Sequence, residues 1–226
     1  MGAISVVVVR WHGHACFEVV DSNGVSIVID PHDGRSIGLK PPKASADAVL
    51  ITHEHFDHNA YHLVLKPGGE KYSMREGDFR VVRKYGVKGI KLFHDKSRGK
   101  LRGNVVIYRL EVEGVRILHL GDLGHIPPQE VVNEVTPIEV LMVPVGGTFT
   151  IDAKEAYEVA KMLSPKVVVP MHYWVTGVNL PLAPLDSFLN IVDYEVIKMD
   201  SNQWSISKEE LDVMGPEPKV VVFKLP

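Results

Sequence analysis

Residues 51–60 read ITHEHFDHNA, which places His53, His55, Asp57 and His58 within six positions. Neutral imidazole and carboxylate are the donors that suit zinc and similar divalent ions. At this chain's histidine and aspartate frequencies the pattern is expected by chance on the order of 10⁻³ times. The segment directly follows a short apolar run, ADAVLIT (46–52), so it sits at the C-terminal end of a buried strand. Layered α/β proteins place their chemistry there. A period of two keeps His53, His55 and Asp57 on one side while the chain stays extended. His58 joins them only if the chain bends after Asp57, and NAYHLVL is compatible with a turn or helix. Two histidines set apart from an Asp-His pair suggest two adjacent ions, one for each pair.

Such a centre needs more ligands from elsewhere. The remaining histidines are His12, His14, His32, His62, His94, His119, His125 and His172, and acids at strand ends join them. Asp122 in HLGDLG, His172 in VVVPMHYW and His94 in KLFHDKSRG each end an apolar run, so three strand ends can converge on the first four residues. Two ions about 3.5–4 Å apart would hold a shared hydroxide and polarise a scissile carbonyl or phosphoryl oxygen. Metal binding brings the pKa of water down to about 7. The second oxygen of Asp57 can orient that nucleophile or carry a proton to the leaving group. The chain offers no Ser-His-Asp arrangement and no Gly-rich phosphate loop.

The elements that must position these residues are mostly strands. ISVVVVRW, ACFEVVDS and VSIVIDP read as strands, with SNG (22–24) turning between the second and third. DFRVVRKY, GVKGIKLF, NVVIYRLEVEG and VRILHLGD follow, then VLMVPVGG (140–147) and KVVVPMHY (166–173) as buried strands. SNQWSIS and KVVVFKLP are late strands. DAKEAYEVAKML (152–163) is the clearest helix, with Asp152 as N-cap, Glu155 completing a capping box and Pro165 ending it. Two sheets packed together with helices outside is the expected α/β architecture, as one domain over residues 1–226.

Composition narrows the function. The chain has 226 residues, 45% hydrophobic and 23% charged, enough for a core without disulfides. Its one cysteine, Cys16, lies in an apolar run and reads as a buried thiol, so no Cys-rich zinc framework is available. The N-terminal sequence lacks a secretion or myristoylation pattern, and no apolar run reaches membrane-spanning length. A cytoplasmic protein with no membrane partner is expected. Net charge is −3, which argues against nucleic acid as the partner. The charge is uneven, however: residues 66–102 hold twelve Lys/Arg and four Asp/Glu, a net of +8.

The T-H-E-H-F-D-H stretch resembles the signature of the metallo-β-lactamase superfamily. WHGHACF, IDP (29–31), HDKSRGKLRGN (94–104), HLGDLGH (119–125), VPVGGTFTIDAKEA (143–156) and VVVPMHY (167–173) occur in the matching order. They look like the branch containing the ascorbate-6-phosphate lactonase and many predicted zinc-dependent hydrolases. The resemblance implies a four-layer αββα sandwich and a two-metal hydrolytic centre. It places His53, His55 and His94 on one ion, Asp57, His58 and His172 on the other, and Asp122 between them. His119 is the rival of His94, with a supporting, buried role as its other reading. Asp30 is expected to orient the histidine loop. His14, in the matching GHA motif, is expected to point toward substrate, and Tyr173 to stabilise an oxyanion. Asn104 matches the RGN motif. No cysteine stands in the second metal site, unlike the zinc β-lactamases. His55 replaces the Glu of the di-iron flavoproteins of this fold.

A metal-dependent hydrolase of a small ester, lactone or phosphoester is therefore expected. It would use two divalent ions, zinc first, with manganese or iron(II) also suited to the N/O donor set. Its small-molecule substrate is expected to be anionic, bound by Arg98 and Arg102 on a loop that the glycines at 99 and 103 let fold over it. The competing readings are a metallonuclease or phosphodiesterase on nucleic acid and a metal-binding protein without turnover. Homo-oligomerisation stays open.

Overall fold

The computed structural model describes residues 5–226. β-Branched runs form strands because their stiff side chains pack well on a pleated, half-buried surface. Fourteen strands make two sheets. β1 (Val6–Trp11), β2 (Phe17–Val20), β3 (Ser26–Ile29), β4 (Ala46–Ile51) and β5 (Leu65–Ser73) form the first with the late strand β13 (Gln203–Ser207), in the order β13-β1-β2-β3-β4-β5. The second sheet contains β6 (Gly77–Val81), β7 (Tyr85–Phe93), β8 (Asn104–Val112), β9 (Val115–His119), β10 (Val140–Pro144), β11 (Val167–Met171), β12 (Glu195–Lys198) and β14 (Lys219–Val222). Its order is β12-β14-β11-β10-β9-β8-β7-β6. Strands β6 to β9 run antiparallel and β9, β10, β11, β14 and β12 parallel.

The sheets share one core. Val9, Phe17, Ile29 and Leu50 of the first meet Ile107, Leu110, Ile117 and Met142 of the second in a single apolar cluster. β4 is buried on both faces: Ala48 and Leu50 enter that core, while Ala46, Val49 and Ile51 join Cys16, Val28 and Val64 on the far side. That explains its unbroken apolar run, and Cys16 is the buried free thiol expected. Around the sheets lie α1 (Gln129–Val135), α2 (Ala153–Leu163), α3 (Asp186–Leu189) and α4 (Lys208–Val213), giving the αββα sandwich. In α2 the Asp152 carboxylate accepts from Glu155 N at 3.0 Å and the Glu155 carboxylate accepts from Asp152 N at 3.1 Å, closing the capping box.

One stretch departs from the sequence reading, and one strand forms where none was read. DFRVVRKY is not one strand. Val82 and Arg83 are left-handed, at φ 48° and 56°, and turn the chain between β6 and β7. β5 runs through Pro67-Gly68-Gly69, residue types depleted in strands. It pairs with β4 across a register shift that leaves residues 66–69 bulged at the sheet edge. No helix among the described residues is long and apolar enough to cross a membrane.

Candidate metal centre

The segment after β4 is folded by one carboxylate. Asp30, just past β3 and left-handed at φ 50°, accepts from Thr52 N at 2.8 Å and from Thr52 Oγ1 at 2.6 Å. The same carboxylate accepts from His58 Nδ1 at 3.0 Å. Thr52 Oγ1, having given its proton to Asp30, accepts from His53 Nδ1 at 3.0 Å. Both imidazoles thereby donate from Nδ1 and turn Nε2 toward the other donors, the orientation a metal ligand needs. His58 N bonds His55 O at 3.0 Å, so the chain turns at 55–58 rather than staying extended. The turn sends His55 one way and Asp57 with His58 the other.

The second sheet brings its donors to the same place. Asp122 Oδ2 lies 3.3 Å from His94 Nε2, 3.2 Å from His172 Nε2 and 3.7 Å from His53 Nε2, and Asp122 Oδ1 lies 3.3 Å from His58 Nε2. Two glycines allow these approaches. A Cβ on Gly124 would meet the His94 carbonyl carbon at 2.3 Å, and one on Gly146 would meet His172 O at 2.0 Å. The glycine turn after β10 is thus packed on the strand end that carries His172.

Donor atoms fall into three groups, each within 4.8 Å: His53, His55 and His94 in one, His14, Asp57, His58 and His172 in another, and Asp30 with His53 and His58 in a third, whose carboxylate is already engaged by Thr52 and His58. Asp122 touches members of the first two. His53 Nε2, His58 Nε2, His94 Nε2, His172 Nε2 and Asp122 Oδ1 are buried and have no hydrogen-bond partner. Buried polar atoms are normally paired, and five converging orphans of donor type fit a divalent cation. Burial opposes ionisation of Asp122, but His172 and His58 override it and hold the carboxyl well below its usual range. Burial also opposes ionisation of Asp57, which His58 and the bond to His14 outweigh, again lowering its pKa. Burial pushes the His53 imidazole well down, toward the neutral form that ligates.

His119, the rival of His94, has both ring nitrogens occupied. Nε2 donates to Ala15 O at 2.9 Å and Nδ1 accepts from Gly121 N at 3.0 Å, so the ring clamps the loops carrying His14 and Asp122. His14, expected to point toward substrate, is turned onto the donor cluster. It is 1% exposed, left-handed at φ 53°, and its Nε2 lies 3.0 Å from Asp57 Oδ2.

Over the donors opens a cavity of about 230 Å³ lined by His55, Phe56, Asp57, His94, Arg102, Asp122, Phe149 and Leu180. Arg102 sits here, its guanidinium 4.8 Å from the Phe149 ring centroid and one N–H donated to Thr148 O at 3.3 Å. Arg98, Asn104 and Tyr173 are not among the lining residues. Arg98 is exposed on the loop, Asn104 borders Gly99, and Tyr173 stacks on Trp11 at 5.5 Å. The loop itself is tied down. The Asp95 carboxylate accepts from the backbone N–H groups of Ser97, Gly99, Leu101 and Arg102 at 2.7–3.0 Å, so it is not the folding flap expected from its glycines. A larger depression of about 620 Å³ at the β6-β7-β8 edge is lined by opposed charges such as Asp78, Arg80, Lys84 and Glu111 and holds none of the donor clusters.

Residues 8–172 match the family model described as the beta-lactamase superfamily domain. The chain belongs to the metallo-β-lactamase superfamily. A Thermococcus onnurineus relative named a metal-dependent hydrolase is 36% identical over 192 residues, covering 74% of this chain and 85% of its own. A Thermotoga maritima crystal structure, described as a candidate zinc-dependent hydrolase of the metallo-β-lactamase superfamily, is 37% identical with a TM-score of 0.76, covering 97% of this chain and all of its own. Igni18, a metallo hydrolase from Ignicoccus hospitalis, shares the fold at 22% identity and TM-score 0.64, over 97% of this chain and 95% of its own. With the family and the donor cluster together, this metallo-β-lactamase-superfamily chain is a metal-dependent hydrolase.

Proposed function

We propose that the protein hydrolyses a small anionic ester, lactone or phosphoester in the cytoplasm at a centre for two divalent ions, zinc first. The observation that carries this reading is the convergence of buried, unpartnered imidazole nitrogens on both oxygens of Asp122. His53, His55 and His94 would hold one ion, Asp57, His58 and His172 the other, with Asp122 shared. The ions would supply Lewis-acid activation of water and of the scissile group. Asp57 lines the cavity, which supports the reading that its carboxylate would take a proton from the attacking water and hand it to the leaving group. His14 keeps that carboxylate in position. Arg102 supplies a fixed cation for the substrate's anionic group. Zinc is supported by the description of the Thermotoga maritima relative and by the His/Asp donor set.

A nucleic-acid substrate is less well supported. The cavity is small, and Arg102 is the one Lys or Arg among its described lining residues, whereas a phosphate backbone is bound through several cations. The test is metal analysis joined to a substrate panel. Two ions per chain and turnover of small anionic esters, lactones or phosphoesters are expected, with Asp122→Ala losing metal from both clusters. Full metal content in that variant, or activity confined to nucleic acid, would overturn the reading.

A further inference from the structure

Phe56 stands between His55 and Asp57 yet is 58% exposed. A phenylalanine left in water beside a catalytic centre asks what covers it. Two more apolar side chains face the same cavity from distant segments: Phe149, after the glycine turn that follows β10, and Leu180, on the loop between Trp174 and Pro184. They are held as a unit with Arg102. Thr148 lies left-handed at φ 56°, a strained setting for a β-branched residue, and so aims Phe149 at the cavity. Its hydroxyl donates to Pro181 O at 2.7 Å, beside Leu180, and its carbonyl accepts from Arg102 at 3.3 Å. Ala183 N bonds Gly146 O at 2.9 Å and closes the base of that loop.

We propose that Phe56, Phe149 and Leu180 form a specificity pocket for an apolar group on the substrate, a short acyl chain or a single aromatic ring, with the anionic end toward Arg102. This rests on the small-molecule hydrolase reading and names the part of the substrate that does not react. The size decides between ligand classes. About 230 Å³ falls below the roughly 300–1,000 Å³ of sites for drug-sized ligands, but above the about 150 Å³ that admits benzene. The wall is preformed, so little ordering cost falls on the ligand.

Binding of product-like anions tests the pocket without turnover. The metal-loaded protein is titrated calorimetrically with acetate, propionate, butyrate, pentanoate and phenylacetate. Affinity should rise about fourfold per methylene, the gain for burying each CH₂. Phenylacetate should exceed acetate by more than tenfold. Phe56→Ala and Leu180→Ala should cut the gain below twofold per methylene, with acetate affinity and metal content unchanged. Phe56 is exposed, so its removal leaves the core intact. A flat series in the parent protein overturns the pocket. So does a flat series in which Phe56→Ala dissociates a dimer in sedimentation, since the phenylalanine would then cover a second copy. Graded binding with no hydrolysis of any panel substrate would keep the pocket and retire the reaction class. Hydrolysis with a flat series would do the reverse.

Discussion

His14 Nε2 lies 3.0 Å from Asp57 Oδ2, joining the β1-β2 loop to the histidine segment across 43 residues. The His14 ring also lies 4.1 Å from that of His172, tilted by 40°, and the His14 carbonyl accepts from Trp11 Nε1 at 3.0 Å and His172 N at 3.2 Å. It therefore acts on Asp57 from behind. Groups that orient a metal-binding carboxylate typically matter by about 10–100-fold. His14→Ala should lower kcat by that factor with KM little changed. His14→Gln, which keeps a donor, should recover part of it. An alanine variant at the parental rate under saturating metal would remove His14 from the mechanism.

His94 and His119 separate by their partners. His94 has both nitrogens unpaired beside Asp122, while both nitrogens of His119 serve the backbone. His94→Ala should lose metal from the first cluster while the chain stays folded. His119→Ala should retain metal and lose about 2–4 kcal/mol of stability, from two buried hydrogen bonds and a cavity. Metal content by plasma emission and urea melts read the two effects; the opposite pattern would exchange their roles.

Arg102 and Arg98 offer a like-for-like comparison on one loop. Only Arg102 lines the cavity. Arg102→Ala should raise KM for an anionic substrate about 10–100-fold, the range for a charge-assisted contact, and spare a neutral analogue. Arg98→Ala should leave both kinetic constants unchanged. Equal effects from the two variants would point to diffuse charge rather than a contact, and a salt series would expose it.

Stability should fall with acid in two stages. Burial lowers the His32 imidazole from 6.5 to about 4, partly opposed by its bond to His12 O. The folded chain thus takes up that proton later than the unfolded one, and stability is lost as pH falls from about 6.5 to about 4. Burial would raise Glu18, but hydrogen bonds from His12, Ser26 and Arg10 bring it from 4.5 down to about 2. Its contribution, up to about 3 kcal/mol, is present above pH 4.5 and lost below it. Glu18→Gln should flatten the lower stage of a pH series of urea midpoints. A parental slope below pH 4.5 in that variant would contradict the assignment.

The donor segment was legible because few chemistries ask for three imidazoles and a carboxylate in six positions. β4 and β11 were legible because strands buried on both faces read as unbroken apolar runs. β5 was not, since its pairing with β4 overrides the local preference of Pro-Gly-Gly. Ser207 and Glu210 close a capping box on α4, yet only SNQWSIS was read there, as a strand, because Ser207 ends β13 as well. Phe149 and Leu180 could not be paired from the sequence. They lie 31 positions apart, and an apolar side chain signals a core before it signals a cavity wall. Asp95 left a faint trace in the D-x-S-x-G spacing, that of a side chain accepting from the backbone ahead of it.

β5 and β6 are the outer strands of their sheets on one side of the sandwich, and both lie in the segment with a net charge of +8. An outer strand offers unpaired N–H and C=O groups to any other chain that can lie alongside. Here Pro67 lacks an N–H and residues 66–69 bulge, while β5 sets Lys66 and Lys71 against Glu70 and β6 sets Arg80 against Asp78. A second molecule approaching β5 edge to edge would meet an interrupted ladder. The bulge at Pro67-Gly68-Gly69 is, in that light, a guard against fibril-like self-association along β5.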